Sequence, residues 1–288
     1  MNAWRWITRS LWFHRRAHLG TIVGTCASAA AIAGALLAGS AARESLGDLA
    51  KVRLGKVEIV AQTGRRLVRQ TLAVDLAHRT GGTFAPVLAM RATASSSSGQ
   101  PVAIQLIGVD KSFWKLADSR ATPVMLGDGA WPNERAARRI GARPGDWITL
   151  RVVRDDGIAA EAPLAPSAAG AVPTKIAIAG IAPRHAMGEF SLEHNVAPPD
   201  NVFVPLEWLQ RHFGVPGRVN LILGRSCDVG HATAALRDSW QIADAGLELR
   251  RVAATAELEL RSREIFVPPS IEAAVMPGKG NIIRTGSL

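Results

Sequence analysis

Residues 19–42, LGTIVGTCASAAAIAGALLAGSAA, form a stretch of 24 residues that contains no charged side chain. As a helix rising about 1.5 Å per residue, the stretch is roughly 36 Å long and can cross a hydrocarbon core of about 30 Å. The apolar regions of signal peptides are shorter, at about 7–15 residues. The length therefore favours a retained transmembrane helix. Two alternatives stay open: a cleaved signal peptide, because the stretch is Ala-rich and ends in the small residues AGSAA, and a buried helix of a soluble protein.

The residues before this stretch carry arginines and no acidic side chain. The arginines are Arg5, Arg9, Arg15 and Arg16. Clustered arginines beside a membrane span stay on the cytoplasmic side, so these four are the predicted cytoplasmic anchors. The N-terminus is then predicted to lie in the cytoplasm and residues 43–288 outside it, in a protein that crosses the plasma (inner) membrane once.

Residues 1–18 mix these arginines with tryptophans and other large apolar residues. Tryptophan is enriched at membrane–water interfaces, and basic amphipathic helices lie among lipid headgroups. The segment is therefore predicted to be a cytoplasmic or interfacial amphipathic helix in contact with membrane lipid. The alternative is a disordered basic tail.

Small residues recur at helical spacing within the apolar stretch. Gly20 and Gly24 form a G-x-x-x-G motif, and the same face continues with Ser28, Ala31, Ala35 and Gly39. Faces of small residues let helices approach closely in lipid. These six residues are the predicted site of membrane-helix packing, although an Ala-rich helix also shows such faces by chance.

The charge and the cysteines exclude several classes of partner and site. The formal net charge is +10, but no run of Lys and Arg interleaved with aromatic residues follows residue 16, so no nucleic-acid partner is predicted. Attraction to anionic lipid headgroups is the favoured explanation of the excess positive charge. Cys26 lies inside the predicted span and Cys227 far beyond it, so neither a disulfide nor a cysteine-type zinc site is predicted.

Residues 43–288 are predicted to form an α+β extracytoplasmic domain of mixed strands and helices. Apolar residues at helical spacing continue to residue 54, so the span is predicted to run on as a helix. Strand-like runs at 84–94 and 101–110 flank SSSSGQ, which predicts a hairpin. Residues 155–173 are rich in Ala, Pro and Gly and predict a mobile loop or a boundary between two subdomains.

Two further helices are predicted with specific boundaries. The segment 65–82 places Leu67, Val68, Leu72 and Leu76 on one face and predicts a single helix that stops at Gly81-Gly82. The segment WPNERAARRIG predicts a helix with Pro132 in its first turn and Gly141 at its end.

The sequence contains no motif that carries a catalytic mechanism. It has no G-x-x-x-x-G-K-[ST], no G-x-S-x-G and no H-E-x-x-H. His185 and His194 lie close to Glu189 and Glu193 in a loop-like segment, but their spacing is a weak metal signal. Aspartates beside turns and strand ends are predicted to cap or turn the chain: Asp110, Asp146 and Asp228. No catalytic, metal or cofactor-binding residue is predicted, no cofactor is expected, and the chain is not predicted to be an enzyme.

Four segments together resemble a known family. They are RSLWFHRRAHLG, AIAGALLAGSAARESLGDLAKVRLGKVEIV, NERAARRIGARPGDWITLRV and MGEFSLEHNVAPPDNVFVPLEWLQRHFGVPGRVNLILG. In this order, they resemble the N-terminal half of FtsX-like ABC transporter permeases that contain a MacB-like periplasmic core domain. The resemblance is piecewise across most of residues 4–270.

The resemblance implies a transporter subunit without catalytic residues of its own. Such permeases pair with an ABC ATPase subunit and work as homodimers or heterodimers. They have four membrane helices, and the large domain between the first and second couples nucleotide-driven motion to substrate handling or partner proteins. Because this sequence lacks the three later helices, the resemblance implies a truncated member without the C-terminal permease module. The alternative function is a membrane-anchored or secreted binding protein without transport activity.

Overall fold

The computed structural model describes residues 3–64, 66–97, 99–117, 129–152, 173–193, 197–225, 227–251 and 258–262. Two compact units are distinguished, Met1–Lys51 and Val52–Leu288. Most of the predicted subdomain boundary, residues 155–172, and His194 lie outside the described residues.

The described residues contain seven α-helices and two short 3-10 helices. The α-helices are α1 Ala3–Phe13, α2 Arg15–Leu54, α3 Thr71–Thr80, α4 Lys111–Trp114, α5 Glu134–Ile140, α6 Leu206–His212 and α7 Val229–Ser239. The 3-10 helices are Arg184–Ala186 and Ile242–Ala245.

The same residues contain twelve strands. They are β1 Ile59–Gln62, β2 Val68–Arg69, β3 Thr83–Ser95, β4 Val102–Val109, β5 Trp131–Pro132, β6 Trp147–Val152, β7 Thr174–Ala177, β8 Asn201–Pro205, β9 Arg218–Val219, β10 Leu221–Arg225, β11 Leu247–Arg251 and β12 Leu258–Ser262.

The long helix α2 contains the whole uncharged stretch. It has 40 residues, which corresponds to about 60 Å of helix, and its residues up to Leu54 confirm the predicted helical continuation beyond residue 42. His14 separates α1 from α2, yet its amide donates to the Ser10 carbonyl at 3.0 Å and its carbonyl accepts from the His18 amide at 3.0 Å. Helical hydrogen bonding therefore continues across the junction.

The second unit is built on an eight-stranded sheet. Its main path is β1-β10-β3-β4-β8-β5, while β6 pairs with both β3 and β7. The long strand β3 pairs with β10 through its first half and with β6 through its second. The hairpin β3–β4 is confirmed, and most pairs are antiparallel, but β4 and β8 are parallel.

Part of this sheet closes on itself. Ala130, just before β5, forms a parallel bridge with Ile178, just after β7. The Ala130 amide donates to the Ala177 carbonyl at 2.8 Å, and the Ala130 carbonyl accepts from the Ala179 amide at 2.9 Å. The ladder therefore runs through β3, β4, β8, β5, β7 and β6 and returns to β3, which removes free strand edges from this part of the domain.

Alternate residues of the central strands supply two hydrophobic clusters on opposite faces. In β3, Phe84 and Leu88 belong to the first cluster, whereas Val87 belongs to the second. The second is rich in aromatic residues, with the Phe113 ring centroid 5.6 Å from that of Phe190 and 5.7 Å from that of Phe203. Because strand side chains alternate between faces, both faces of this sheet are covered. The predicted α+β class with one N-terminal candidate membrane helix is confirmed.

The prediction of one helix over 65–82 is wrong at its beginning. Val68 belongs to β2, where it is buried and pairs with Val219 of β9, and α3 begins only at Thr71. Pairing with a strand distant in sequence overrides the local helical spacing. The predicted stop is confirmed, because Gly81 ends α3 with a left-handed backbone at a φ of 70°.

The sequence predicts Pro132 in the first turn of a helix, and this prediction is wrong. It belongs to β5 and pairs with Val202 of β8. Asn133 caps α5 instead, because its Oδ1 accepts a hydrogen bond from the Ala136 amide at 2.8 Å. Gly141 ends α5 with a φ of 70°, as predicted.

Candidate functional site

The predicted packing face lies along one side of α2. At about 100° per residue, its six members fall within an arc of about 100° around the helix. A Cβ added to Gly20, Gly24 or Gly39 would meet nothing within 4 Å. The Ser28 hydroxyl donates to the Gly24 carbonyl at 2.8 Å, so it does not project an unsatisfied polar group. The face is smooth and sterically open, and its role in helix packing stays a prediction.

The large apolar side chains of the stretch face outward. Ile32 is 64%, Leu36 70% and Leu37 69% exposed. Among the described residues, 15–48 form the one helix that is long and apolar enough to cross a membrane by length and composition, and none of its most apolar part is buried. A core helix of a soluble protein would bury these side chains. The structure therefore contradicts the buried-helix alternative.

The hydroxyl groups of this helix bond to its own backbone. The Thr21 hydroxyl donates to the Ala17 carbonyl at 3.0 Å, and the Ser40 hydroxyl donates to the Leu37 carbonyl at 2.9 Å. Because lipid offers no hydrogen-bond partners, polar groups in a span need partners within the protein. The polar side chains of the stretch meet that requirement without a second helix.

The basic end of the first unit presents arginines together with tryptophans. Trp4 is 75% and Trp12 74% exposed, and the guanidinium carbon of Arg15 lies 4.8 Å from the centroid of a Trp12 ring. The side chains of Arg9, Arg15 and Arg16 are exposed. Exposed Trp and Arg at one end of an apolar helix are the arrangement that suits a membrane–water interface.

The described residues of the histidine-containing segment form an ion pair, and among them no metal site is found. Glu189 forms an ion pair with Arg184, with its Oε2 3.1 Å from Arg184 Nε, and His185 follows Arg184 in the same 3-10 helix. Within the part of the chain that the structure describes, no group of three or more His, Cys, Asp or Glu side chains can hold a metal ion.

The three aspartates predicted to cap or turn the chain do so. Asp110 caps α4 through the Ser112 amide at 2.9 Å, and Asp228 caps α7 through the Gly230 amide at 2.9 Å. Asp146 accepts from the Arg143 amide at 2.7 Å in the turn before β6. Their carboxylates therefore have local structural roles.

Arg69 and Asp244, which lie 175 residues apart, form a buried ion pair that the sequence does not predict. The Asp244 side chain is fully buried and accepts from the Arg69 amide at 2.9 Å, from Arg69 Nε at 3.0 Å and from Arg69 Nη2 at 2.9 Å. The Gln241 amide also donates to Asp244, at 3.0 Å. The pair fastens β2 to the 3-10 helix Ile242–Ala245, and no local pattern in the sequence signals it.

No protein-family model matches the chain, and no curated protein matches it. Solved structures do match. The extracellular domain of the ABC-type transporter YknZ from Gram-positive bacteria is 11% identical with a TM-score of 0.38, and the match covers 60% of this chain and 80% of that domain. The periplasmic region of MacB from Actinobacillus actinomycetemcomitans is 10% identical with a TM-score of 0.38, and the match covers 77% of this chain and 92% of that region.

A domain of a putative permease protein from Porphyromonas gingivalis gives 13% identity, a TM-score of 0.38, and coverage of 73% of this chain and 88% of that domain.

Proposed function

We propose that this chain is a permease subunit of an ABC transporter, or the N-terminal part of one. In this proposal α2 crosses the plasma (inner) membrane, the N-terminus lies in the cytoplasm, and the domain that follows lies outside. The domain handles substrate or partner proteins and moves with the ATPase cycle. The four resembling sequence segments motivate the transporter family.

The observation that carries the proposal is the continuity of α2. One helix without proline runs from Arg15 through the uncharged stretch to Leu54, at the start of the second unit. A flexible tether would be enough to hold a binding domain at a membrane. A continuous helix can in addition transmit a displacement or rotation along its axis, since its hydrogen bonds resist bending.

The proposed orientation rests on the charges at the two ends of the apolar stretch. Arginines without acids precede it, whereas Glu44 and Asp48 follow among the basic residues. Positive-inside placement then puts residues 1–18 in the cytoplasm or at its lipid surface. The proposed partners are an ABC ATPase, engaged through a permease module of the complete transporter, and a second permease, identical or homologous, packed against α2.

The small face of α2 provides the test. Replacing Gly20 and Gly24 together by Leu is expected to lower the fraction of the 288-residue chain found in complexes about tenfold, because the added side chains keep partner helices apart. Blue-native electrophoresis of mildly solubilised native membranes measures that fraction. Since an added Cβ meets nothing within 4 Å at either glycine, the substitution leaves α2 itself intact.

The matched control is Ala29→Leu with Ala33→Leu, which adds bulk at the same spacing on the opposite side of α2. It is expected to leave the complexes unchanged. If the glycine variant assembles as well as the wild type, the small face is not a packing site. The alternative of a membrane-anchored binding protein without transport activity is then the better description.

A further inference from the structure

A groove with a volume of about 350 Å³ lies beside α5 on the second unit, and it is lined by arginines. Arg135, Arg138 and Arg139 come from α5, while Arg184 comes from the 3-10 helix about 45 residues further along the chain. None of these side chains was singled out in the sequence, because the fold alone brings them together. A groove of this size holds a small ligand group rather than a protein segment.

Two mostly buried carboxylates hold three of these arginines in place. Asp200, with a side chain only 10% exposed, accepts from Arg135 Nε at 3.2 Å and from Arg139 Nη1. Glu189, at 18% exposed, lies 3.1 Å from Arg184 Nε. The two acids fix the positions of the guanidinium groups, and their negative charges are paired with these arginines.

The geometry of these pairs leaves guanidinium donors available. Arg135 donates to Asp200 through Nε, and Arg184 approaches Glu189 with its Nε; no bond to another described residue engages the terminal Nη groups of either arginine. Arg138 is exposed and, among the described residues, has no ion-pair or hydrogen-bond partner. Arg138 follows Arg135 by three residues, so the two charges lie on the same side of α5.

The remaining polar lining does not compete with these donors. The Asn133 amide is already used, because its Nδ2 donates to the Gly188 carbonyl at 3.1 Å and to the Pro199 carbonyl at 2.8 Å. Glu134 is exposed in the first turn of α5. Of the two glutamates that line the groove, it is the one that forms no ion pair with a described residue. Its negative charge opposes an anion in the groove.

We propose that this groove binds a phosphate group, presented either by free inorganic phosphate or by the headgroup of an anionic lipid. Guanidinium forks bind phosphate in bidentate fashion. A tetrahedral phosphate offers enough oxygen atoms to accept from three arginines at once, whereas a carboxylate offers two. The proposal rests on the side chains of the domain and does not depend on the transporter function proposed above.

The test measures binding of inorganic phosphate to the 288-residue chain in nonionic detergent at low ionic strength, where exposed charges are least screened. Isothermal titration calorimetry reports the dissociation constant. Arg138→Gln is expected to weaken binding about tenfold, and Glu134→Gln to strengthen it about threefold. The control Arg237→Gln removes another exposed helical arginine, from α7 outside the groove, and is expected to change the constant less than about twofold.

A parallel titration identifies the source of the phosphate group. Dihexanoyl phosphatidic acid is compared with inorganic phosphate, in the wild type and in Arg138→Gln. Tighter binding of the lipid that is lost in Arg138→Gln assigns the groove to lipid headgroups, and equal or weaker lipid binding assigns it to free phosphate. Absence of binding, or binding that Arg138→Gln and Arg237→Gln affect equally, overturns the proposal. Unchanged thermal unfolding midpoints without phosphate show that the variants are folded.

Discussion

Replacing Ile32 and Leu36 together by Arg is expected to release most of the 288-residue chain from membranes. Both side chains lie near the middle of the uncharged stretch, are 64% and 70% exposed, and project outside the arc of the small face. An arginine at the centre of a span opposes insertion by about 2.5–3.5 kcal/mol, so two lower the insertion equilibrium by several orders of magnitude. The measurement is the fraction of protein that stays with the membrane pellet after an alkaline carbonate wash.

The control for this variant makes the same chemical change in the second unit. Val74→Arg with Trp147→Arg replaces apolar side chains that are 53% and 62% exposed, and it is expected to leave the membrane fraction unchanged. N-terminal sequencing of the wild-type protein completes the experiment. A mature chain that begins near Arg43 and washes off in carbonate would mean that the stretch is a cleaved signal peptide and would contradict the proposed function.

Asp244→Ala is expected to lower the free energy of unfolding by about 3–5 kcal/mol, because it leaves the Arg69 guanidinium without its buried partner. Asp244 is fully buried, and the Arg69 side chain is only 18% exposed. The substitution also removes the acceptor for the Arg69 and Gln241 amides. Denaturant unfolding of the chain in nonionic detergent, followed by tryptophan fluorescence, measures the loss.

An exposed ion pair in the same unit provides the matched control. Arg79 Nη1 lies 3.7 Å from Asp238 Oδ2, and the two side chains are 50% and 67% exposed. Asp238→Ala is expected to cost less than about 1 kcal/mol, since water and salt screen this pair. Equal losses in the two variants would contradict the structural role assigned to Asp244.

The local signals in the sequence predicted local features correctly. Asp110 and Asp228 cap their helices, and Gly81 and Gly141 end theirs, because capping depends on a few neighbouring residues and on the backbone freedom of glycine. The β3–β4 hairpin followed from two apolar runs around a polar loop. The helical continuation beyond residue 42 followed from periodicity alone.

Features that depend on distant partners are not predicted by the local sequence. Val68 has helical spacing with the residues that follow, yet it pairs with Val219 in a strand. The bridge between Ala130 and Ile178 closes part of the sheet through backbone groups. Backbone groups are the same in every residue, so the side-chain pattern does not predict which ones pair. The arginine groove likewise brings together α5, a 3-10 helix and Asp200, and no local sequence pattern predicts that these three segments meet.

The sequence by itself determined the uncharged helix, its basic flank and the alternation of helices and strands after it, because hydropathy, charge and capping act over a few residues or one helix length. Only the tertiary structure decided which strands pair, that part of the sheet closes, and that Arg69 meets Asp244 and four arginines meet in one groove. Those contacts are selected by packing and charge pairing across the folded domain, which no single segment encodes.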